Sequence, residues 1–315
     1  MMRTAMDEFE LISRLTRSLP RNESVVVGAG DDCAVLDFGL PDRLVLFKTD
    51  AVVEGIHYAP EATPEQIGHK ALARCLSDIA AMGGIPGAAV ISLGLPRQFE
   101  AEFIERTYAG INALARRHEV AIVGGETTTN PERVFISVSL LGFVPRGKVL
   151  LRSGARPGDA IFVTGELGGS GAGKHLDFAP RLAEARWLAD QFPIQAMIDI
   201  SDGLAGDLRH LINASGVGAE LQQGAVPISR AAKVAAKAGD AAKPAFAAAL
   251  TDGEDFELLF TVASQNAVPL LDAWKKTFSG LRLTCIGRIV PGDGVTLRDP
   301  TGVRPLTVHG YVHFS

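Results

Sequence analysis

Thr63-Pro64-Glu65-Gln66-Ile67-Gly68-His69-Lys70-Ala71-Leu72-Ala73-Arg74-Cys75-Leu76-Ser77-Asp78-Ile79-Ala80-Ala81-Met82-Gly83-Gly84 decides how the first half of the chain is read. Threonine caps a helix, proline fits its first turn, and Glu65 suits the positive end of the dipole. Ile67, Ala71, Cys75, Ile79 and Met82 recur at helical spacing, and two glycines end the run. The segment predicts one helix from Pro64 to about Met82. Asp78 falls on or beside its apolar stripe, so its carboxylate needs a partner or a cation.

Working outward, a second helix is predicted over Phe9–Leu19 and a third over Arg97–His118. Strands are predicted at Val25–Val27, Leu44–Thr49, Ala88–Leu95, Val120–Val123 and Val134–Val144. Arg152-Ser-Gly-Ala-Arg-Pro-Gly-Asp159 reads as a linker and turn, which places a boundary near residue 148. Beyond it come strands at Ala160–Thr164, Ala196–Ile200, Phe256–Val262 and Leu283–Ile289, a helix over Leu204–Ala214, and helical segments around Pro244. Strands alternating with helices make the chain α/β, of α+β type, in two domains, 1–148 and 149–315.

Acidic residues beside glycine recur where these elements end: Gly30-Asp31-Asp32, Thr49-Asp50, Gly125-Glu126 and Asp199-Ile-Ser201-Asp202-Gly203. Carboxylates converging on one crevice repel one another unless cations lie between them. Hard cations on carboxylates commonly accompany phosphates, so the pattern points to Mg²⁺-dependent phosphoryl chemistry. For Ser201 and Asp202, capping of the following helix is an alternative reading. Gly168-Gly-Ser-Gly-Ala-Gly173-Lys174-His175 looks like a P-loop but has His175 where a Mg²⁺-binding hydroxyl belongs. It reads as a glycine turn between a strand and a helix.

At 315 residues the chain can bury one large or two medium cores, and its net charge of −5 argues against a nucleic-acid partner. Three scattered cysteines form neither a disulfide framework nor a zinc site and read as reduced, buried thiols. No stretch is apolar enough to span a membrane, and a cytoplasmic protein is expected.

Several motifs resemble the thiamine-monophosphate kinase family, within the aminoimidazole ribonucleotide synthetase-like superfamily. They are Gly28-Ala-Gly-Asp-Asp-Cys-Ala-Val-Leu36, Lys48-Thr-Asp50, Glu54-Gly-Ile-His57, Gly68-His-Lys-Ala-Leu72, Leu76-Ser-Asp-Ile-Ala-Ala-Met-Gly83 and Val123-Gly-Gly-Glu-Thr-Thr128. Arg152-Ser-Gly-Ala155, Val163-Thr-Gly-Glu-Leu-Gly-Gly-Ser170, Ile198-Asp-Ile-Ser-Asp-Gly-Leu204, Gly253-Glu-Asp-Phe-Glu-Leu258 and Gly310-Tyr-Val-His-Phe314 continue the match in family order. The resemblance implies a two-domain fold of mixed sheets with packed helices. It implies ATP-dependent phosphorylation of thiamine monophosphate, with several Mg²⁺ ions and ATP as co-substrate.

By the same resemblance Asp32, Thr49, Asp50, Asp78, Glu126, Asp199 and Asp202 would hold the metal, with Asp31 close by. Gly125, Glu126, Arg152 and Ser201 would meet ATP. His57, Glu254, Asp255 and Tyr311 or Phe314 would meet the substrate. It also implies a homodimer formed through the N-terminal domains, which would bind ATP and metal, while the C-terminal domain completes the site. Neither nucleic acid nor membrane is an expected partner. An ATP-dependent synthetase of the same superfamily and a non-catalytic nucleotide-binding regulator are the alternatives. Three positions depart from the family pattern: Glu126 replaces an aspartate, Lys48 stands where a hydroxyl residue is common, and Asp252 precedes Gly253 in place of a second glycine. An ammonium group cannot ligate Mg²⁺.

Overall fold

The computed structural model describes residues 8–238 and 243–311. The first half opens with α1 (Glu8–Thr16) and three strands, β1 (Val25–Val27), β2 (Ala34–Leu36) and β3 (Arg43–Val53). Helix α2 (Pro64–Ala81) follows, then β4 (Ile85–Leu95), α3 (Ala101–Arg117), β5 (Ala121–Thr129) and β6 (Phe135–Pro145). The strands form one sheet in the order β1-β2-β3-β6-β4-β5, antiparallel except where α3 carries β4 over to a parallel β5.

The second half is built on β7 (Ala160–Thr164), α4 (Lys174–Asp177), α5 (Leu182–Gln191), β8 (Ile194–Asp199), α6 (Leu204–Ser215) and β9 (Gly218–Gln222). It continues through α7 (Arg230–Ala238), α8 (Ala245–Thr251), β10 (Leu258–Val262), α9 (Ala267–Thr277), β11 (Leu283–Val290), β12 (Val295–Asp299) and β13 (Gly302–Pro305). Its sheet runs β13-β12-β9-β11-β7-β10-β8. Among the described residues no helix is long and apolar enough to cross a membrane.

Helix α2 joins the halves. Thr63 accepts from the Gln66 amide and Gln66 returns a bond to the Thr63 N–H, a closed capping box. The helix is buried nearly all round: one side lies on β3 and β6, the other meets β8, α4 and α5. One apolar core therefore runs through both halves, from Leu46, Leu76 and Met82 to Phe162, Phe260 and Trp274. A second core, with Val163, Ile198, Leu208 and Leu259, lies on the other side of the second sheet.

Several elements differ from the sequence reading. Asp50 and Glu126 are not at strand ends, because β3 and β5 continue past them to Val53 and Thr129. The register with β6 and β4 holds these polar residues in strand conformation. Strand β10 starts at Leu258 rather than Phe256, because Glu254 and Phe256 have φ of 53° and 49°. Helix α3 begins at Ala101, four residues after Arg97. The short strands β2, β9, β12 and β13 lack the length or alternation that would mark them. Cys33 and Cys75 are buried, but Cys285 is exposed.

Helices α2 and α3 meet at two glycines. A Cβ on Gly68 would lie 1.9 Å from the Thr107 carbonyl oxygen, and one on Gly110 would lie 2.0 Å from that of Glu65. Both obstacles are backbone, so no side chain can yield. Gly110→Ala should lower the unfolding free energy by about 1–3 kcal/mol, the scale of an overpacked core site. Urea melts of parent and variant measure it, and a change under about 0.5 kcal/mol would show that α3 slides freely.

Candidate active site

Three carboxylates from three segments meet at the seam between the halves. Asp32 precedes β2, Asp78 is on α2 and Asp199 ends β8; one oxygen of each lies within 4.8 Å of the others. All three are buried. Lys48 Nζ is 2.8 Å from Asp78 Oδ1, Arg152 Nη2 is 2.6 Å from Asp32 Oδ1, and Ser77 Oγ donates to Asp199 Oδ2. Asp32 Oδ2 is buried and has no hydrogen-bond partner.

The charges strain against burial. Burial and the neighbouring Asp32 push the Asp199 carboxyl up to about 7, against the Ser77 bond. Burial drives Asp78 up as well, although Lys48 opposes it. Asp31 rises to about 6 through burial and the charge of Asp32, even though its oxygens accept the Asp32 and Arg152 amides. Burial works against the Lys48 ammonium, but Asp78 and Asp50 outweigh it and hold the amine above the usual lysine range.

Lys70, Arg74 and Asp78 are four residues apart and form one charged line along α2. One helical turn, about 5.4 Å, roughly matches two strand residues, about 6.8 Å, so the line runs in register with β3. Lys48 meets Asp78, and Asp50 meets Arg74 at 3.0 Å. A turn further on, Lys70 Nζ is 2.6 Å from Glu254 Oε1 and 2.7 Å from His175 Nδ1, and it donates to the His57 carbonyl. Burial would raise Glu254, yet His175 and Lys70 outweigh it and bring it to about 2. The motif reading quoted Lys70 within Gly68–Leu72 but gave it no role, and it did not include Arg74. Two basic residues at i and i+4 on a helix otherwise apolar enough to be buried were the available signal.

A pocket adjoins this line, lined by His57, Arg74, Ser201, Asp202, Glu254 and Tyr311, among others. Burial and the positive charge of Arg74 lower His57 to about 4, so the ring is neutral at neutral pH. Its Nδ1 accepts the Val53 amide at 3.0 Å, which leaves the ring proton on Nε2. The segment 201–203 carries the chain from β8 into α6, whose N-cap is Gly203 with no side-chain cap. The capping alternative for Ser201 and Asp202 is therefore not what the structure shows. Tyr311 is held here by its N–H, which donates to the Asp202 carbonyl at 2.8 Å.

The remaining expected residues lie elsewhere. Thr49 alternates with Lys48 and Asp50, and its hydroxyl bonds Ser139 on the opposite face of the first sheet. Glu126 pairs with Ser92 and Ser92 with Ser137, so it shares that far face. Glu126 and Gly125 are also three strands from β3, roughly 14 Å at the usual spacing. Asp255 is turned into the core, where it accepts the Gly168 N–H at 3.0 Å and does not line the pocket. Asp252 lines the pocket, accepts the Gly169 N–H at 2.7 Å and pairs with Lys243. Lys174 is held by the buried Glu257 at 2.9 Å, beside Arg181. Phe314 lies outside the described residues.

An unfolded aspartate titrates near 3.9. Because Asp199 binds its proton more tightly when folded, its contribution to stability is full below about pH 4 and is lost as pH rises towards about 7. In chelator, Asp199→Asn should flatten the pH dependence of unfolding across that window. The variant should also be more stable than the parent at pH 7.5. Parallel profiles from urea melts would show that Asp199 is not proton-linked.

Residues 30–144 match the family described as "AIR synthase related protein, N-terminal domain", and residues 156–300 match "AIR synthase related protein, C-terminal domain". The chain is 38% identical over 307 residues to a thiamine-monophosphate kinase of Rhodopirellula baltica, covering 95% of this chain and 93% of the relative. It is 35% identical over 336 residues to that of Escherichia coli K12, covering 99% of each. A solved structure described as "AaThiL complexed with AMPPCP and TMP" superposes with a TM-score of 0.82 at 31% identity, covering 99% of each chain. The chain belongs to the thiamine-monophosphate kinase family.

Proposed function

We infer that this protein transfers the γ-phosphoryl group of ATP to the phosphate of thiamine monophosphate, making thiamine diphosphate. One observation carries the reading: a buried tri-carboxylate cluster with an unpartnered oxygen adjoins a pocket lined by His57, Ser201, Asp202, Glu254 and Tyr311. Full-length similarity to kinases of that name supports it.

The donor set suits Mg²⁺, since ionised carboxylates only accept and the Asp32 oxygen lacks a partner. Asp32, Asp78 and Asp199 would hold the metal, with Asp50 and Asp202 flanking them. Bound there, Mg²⁺ supplies charge neutralisation for the phosphates in transit. The acceptor phosphate has a second pKa of about 6 and attacks as a dianion, so no general base is required. The neutral His57 ring can donate its Nε2–H to a phosphate oxygen without giving up a proton. The uncapped N-terminus of α6, with Ser201, offers donors to the nucleotide's phosphates. Arg152 is paired with Asp32 and carries further N–H donors that a phosphate beside the cluster could accept from. Tyr311 offers a π face to the cationic thiazolium ring.

Residues 1–148 would then form the ATP- and metal-binding half, and 149–315 would complete the site. We further propose a homodimer formed through the open face of the first sheet. Phe47, Val90 and Leu141 are exposed there, and among the described residues β5 is an edge strand. A second copy is the occupant that would cover this face and bring Glu126 and Thr49 near a cluster they do not reach within one chain. A cytoplasmic location fits the three free thiols.

The activity is tested by ATP consumption with thiamine monophosphate against unphosphorylated thiamine. Dependence on the monophosphate is expected, and turnover only with other acceptors would favour a superfamily synthetase. Asp50→Asn should lower kcat by at least about 10²-fold, more than it weakens nucleotide binding. Near-normal turnover would remove Asp50 from the site. For the dimer, sedimentation of Phe47→Glu/Leu141→Glu should give a monomer where the parent sediments as a dimer. A monomeric parent would end that proposal.

A further inference from the structure

Lys48 is a cation built into a site made of anions. It projects from β3 toward α2, on the same face as Leu46 and Val52 and opposite to Thr49. Its ammonium sits 2.8 Å from Asp78, a member of the Asp32–Asp78–Asp199 cluster. Its charge also acts on Asp199 and Asp50. A surface lysine would turn to water, but this one is largely buried, with its side chain 23% exposed. The cluster is more than a group of acids, because one of its oxygens, Asp32 Oδ2, is buried and unpartnered.

The charges can be counted. In the deprotonated form that ligates a metal, the three carboxylates contribute −3, and Lys48 and Arg152 return +2 through their contacts with Asp78 and Asp32. A net −1 with one open oxygen accommodates one divalent cation. A second cation on these same three carboxylates would face the first and the Lys48 ammonium within a few ångströms, with no further carboxylate of the cluster between them. Without Lys48 the same residues sum to −2 and leave a second Asp78 position open.

We propose that the Lys48 ammonium takes the place of one divalent cation in the Asp32–Asp78–Asp199 cluster, so that the chain binds one metal ion fewer than its carboxylates could hold. The inference rests on the reading of this cluster as a metal site. It makes Lys48 a positioning residue: its ammonium holds the Asp78 carboxylate in place without waiting for metal.

The test counts metal. Parent, Lys48→Ser and Lys48→Arg are titrated with Mn²⁺ in the presence of a non-hydrolysable ATP analogue, and bound ions per chain are read by electron paramagnetic resonance. Lys48→Ser should bind one Mn²⁺ more than the parent, and Lys48→Arg should keep the parent's number. An unchanged number in Lys48→Ser would overturn the inference. No Mn²⁺ on the parent would instead overturn the metal reading beneath it. Urea melts in chelator and in Mn²⁺ cover a poorly folding variant. Lys48→Ser should lose stability in chelator and regain it with Mn²⁺, and a loss that Mn²⁺ does not restore would also overturn the inference.

Discussion

Three buried carboxylates within 4.8 Å of one another are the constraint on which this structure turns. Burial and mutual repulsion both oppose their ionisation, and the apolar core around them supplies no relief. The relief comes from Lys48, Arg152 and Ser77, each from a different segment. Asp199 comes from the second half and Asp78 from the first, so the site exists only where the halves meet. Holding them together is the task of α2, whose apolar surface is shared by both sheets' cores.

The charged line Lys70–Arg74–Asp78 explains how the cluster connects to the pocket. It runs along the one strip of α2 that faces β3 and the loop around Glu254, and each charge is answered by an opposite one at about a helical turn's spacing. Lys70 is fully buried and contacts the His57 carbonyl, His175 and Glu254, which ties the loop carrying Glu254 to the first half. That loop carries left-handed backbone at both Glu254 and Phe256. Such conformations cost free energy and persist where the surroundings hold them, as the Lys70 and Asp255 contacts do here. The strain is an observed feature of the residues that form the pocket wall.

The glycine loop at 168–173 is also explained by charge. Asp255 and Asp252 accept its amides, and Lys174 is taken up by Glu257. The Gly168 and Gly169 amides and the Lys174 ammonium, each taken by one of the protein's own acids, are not free to cradle a nucleotide phosphate. Its glycines serve close packing instead: Gly168 and Gly169 have positive φ, and a Cβ on either would strike the backbone of α8 or α7.

Much of this was legible in the residues. The capping and apolar spacing of Thr63–Met82 gave the central helix, because local rules govern helix ends and faces. The need to partner Asp78 was legible because a carboxylate beside an apolar stripe cannot be buried alone. The family motifs carried the reaction class. Three things were decided only by the tertiary structure. Asp50 and Glu126 belong to strand interiors because neighbouring strands continue past them, and strand length is set by pairing rather than by the strand itself. Thr49 and Asp50 fall on opposite faces of a sheet, a division that depends on which face α2 covers. Lys48 and Asp78 are 30 residues apart in sequence and 2.8 Å apart in space. No local rule reports such a pair, because a charge's partner is set by the packing of distant segments.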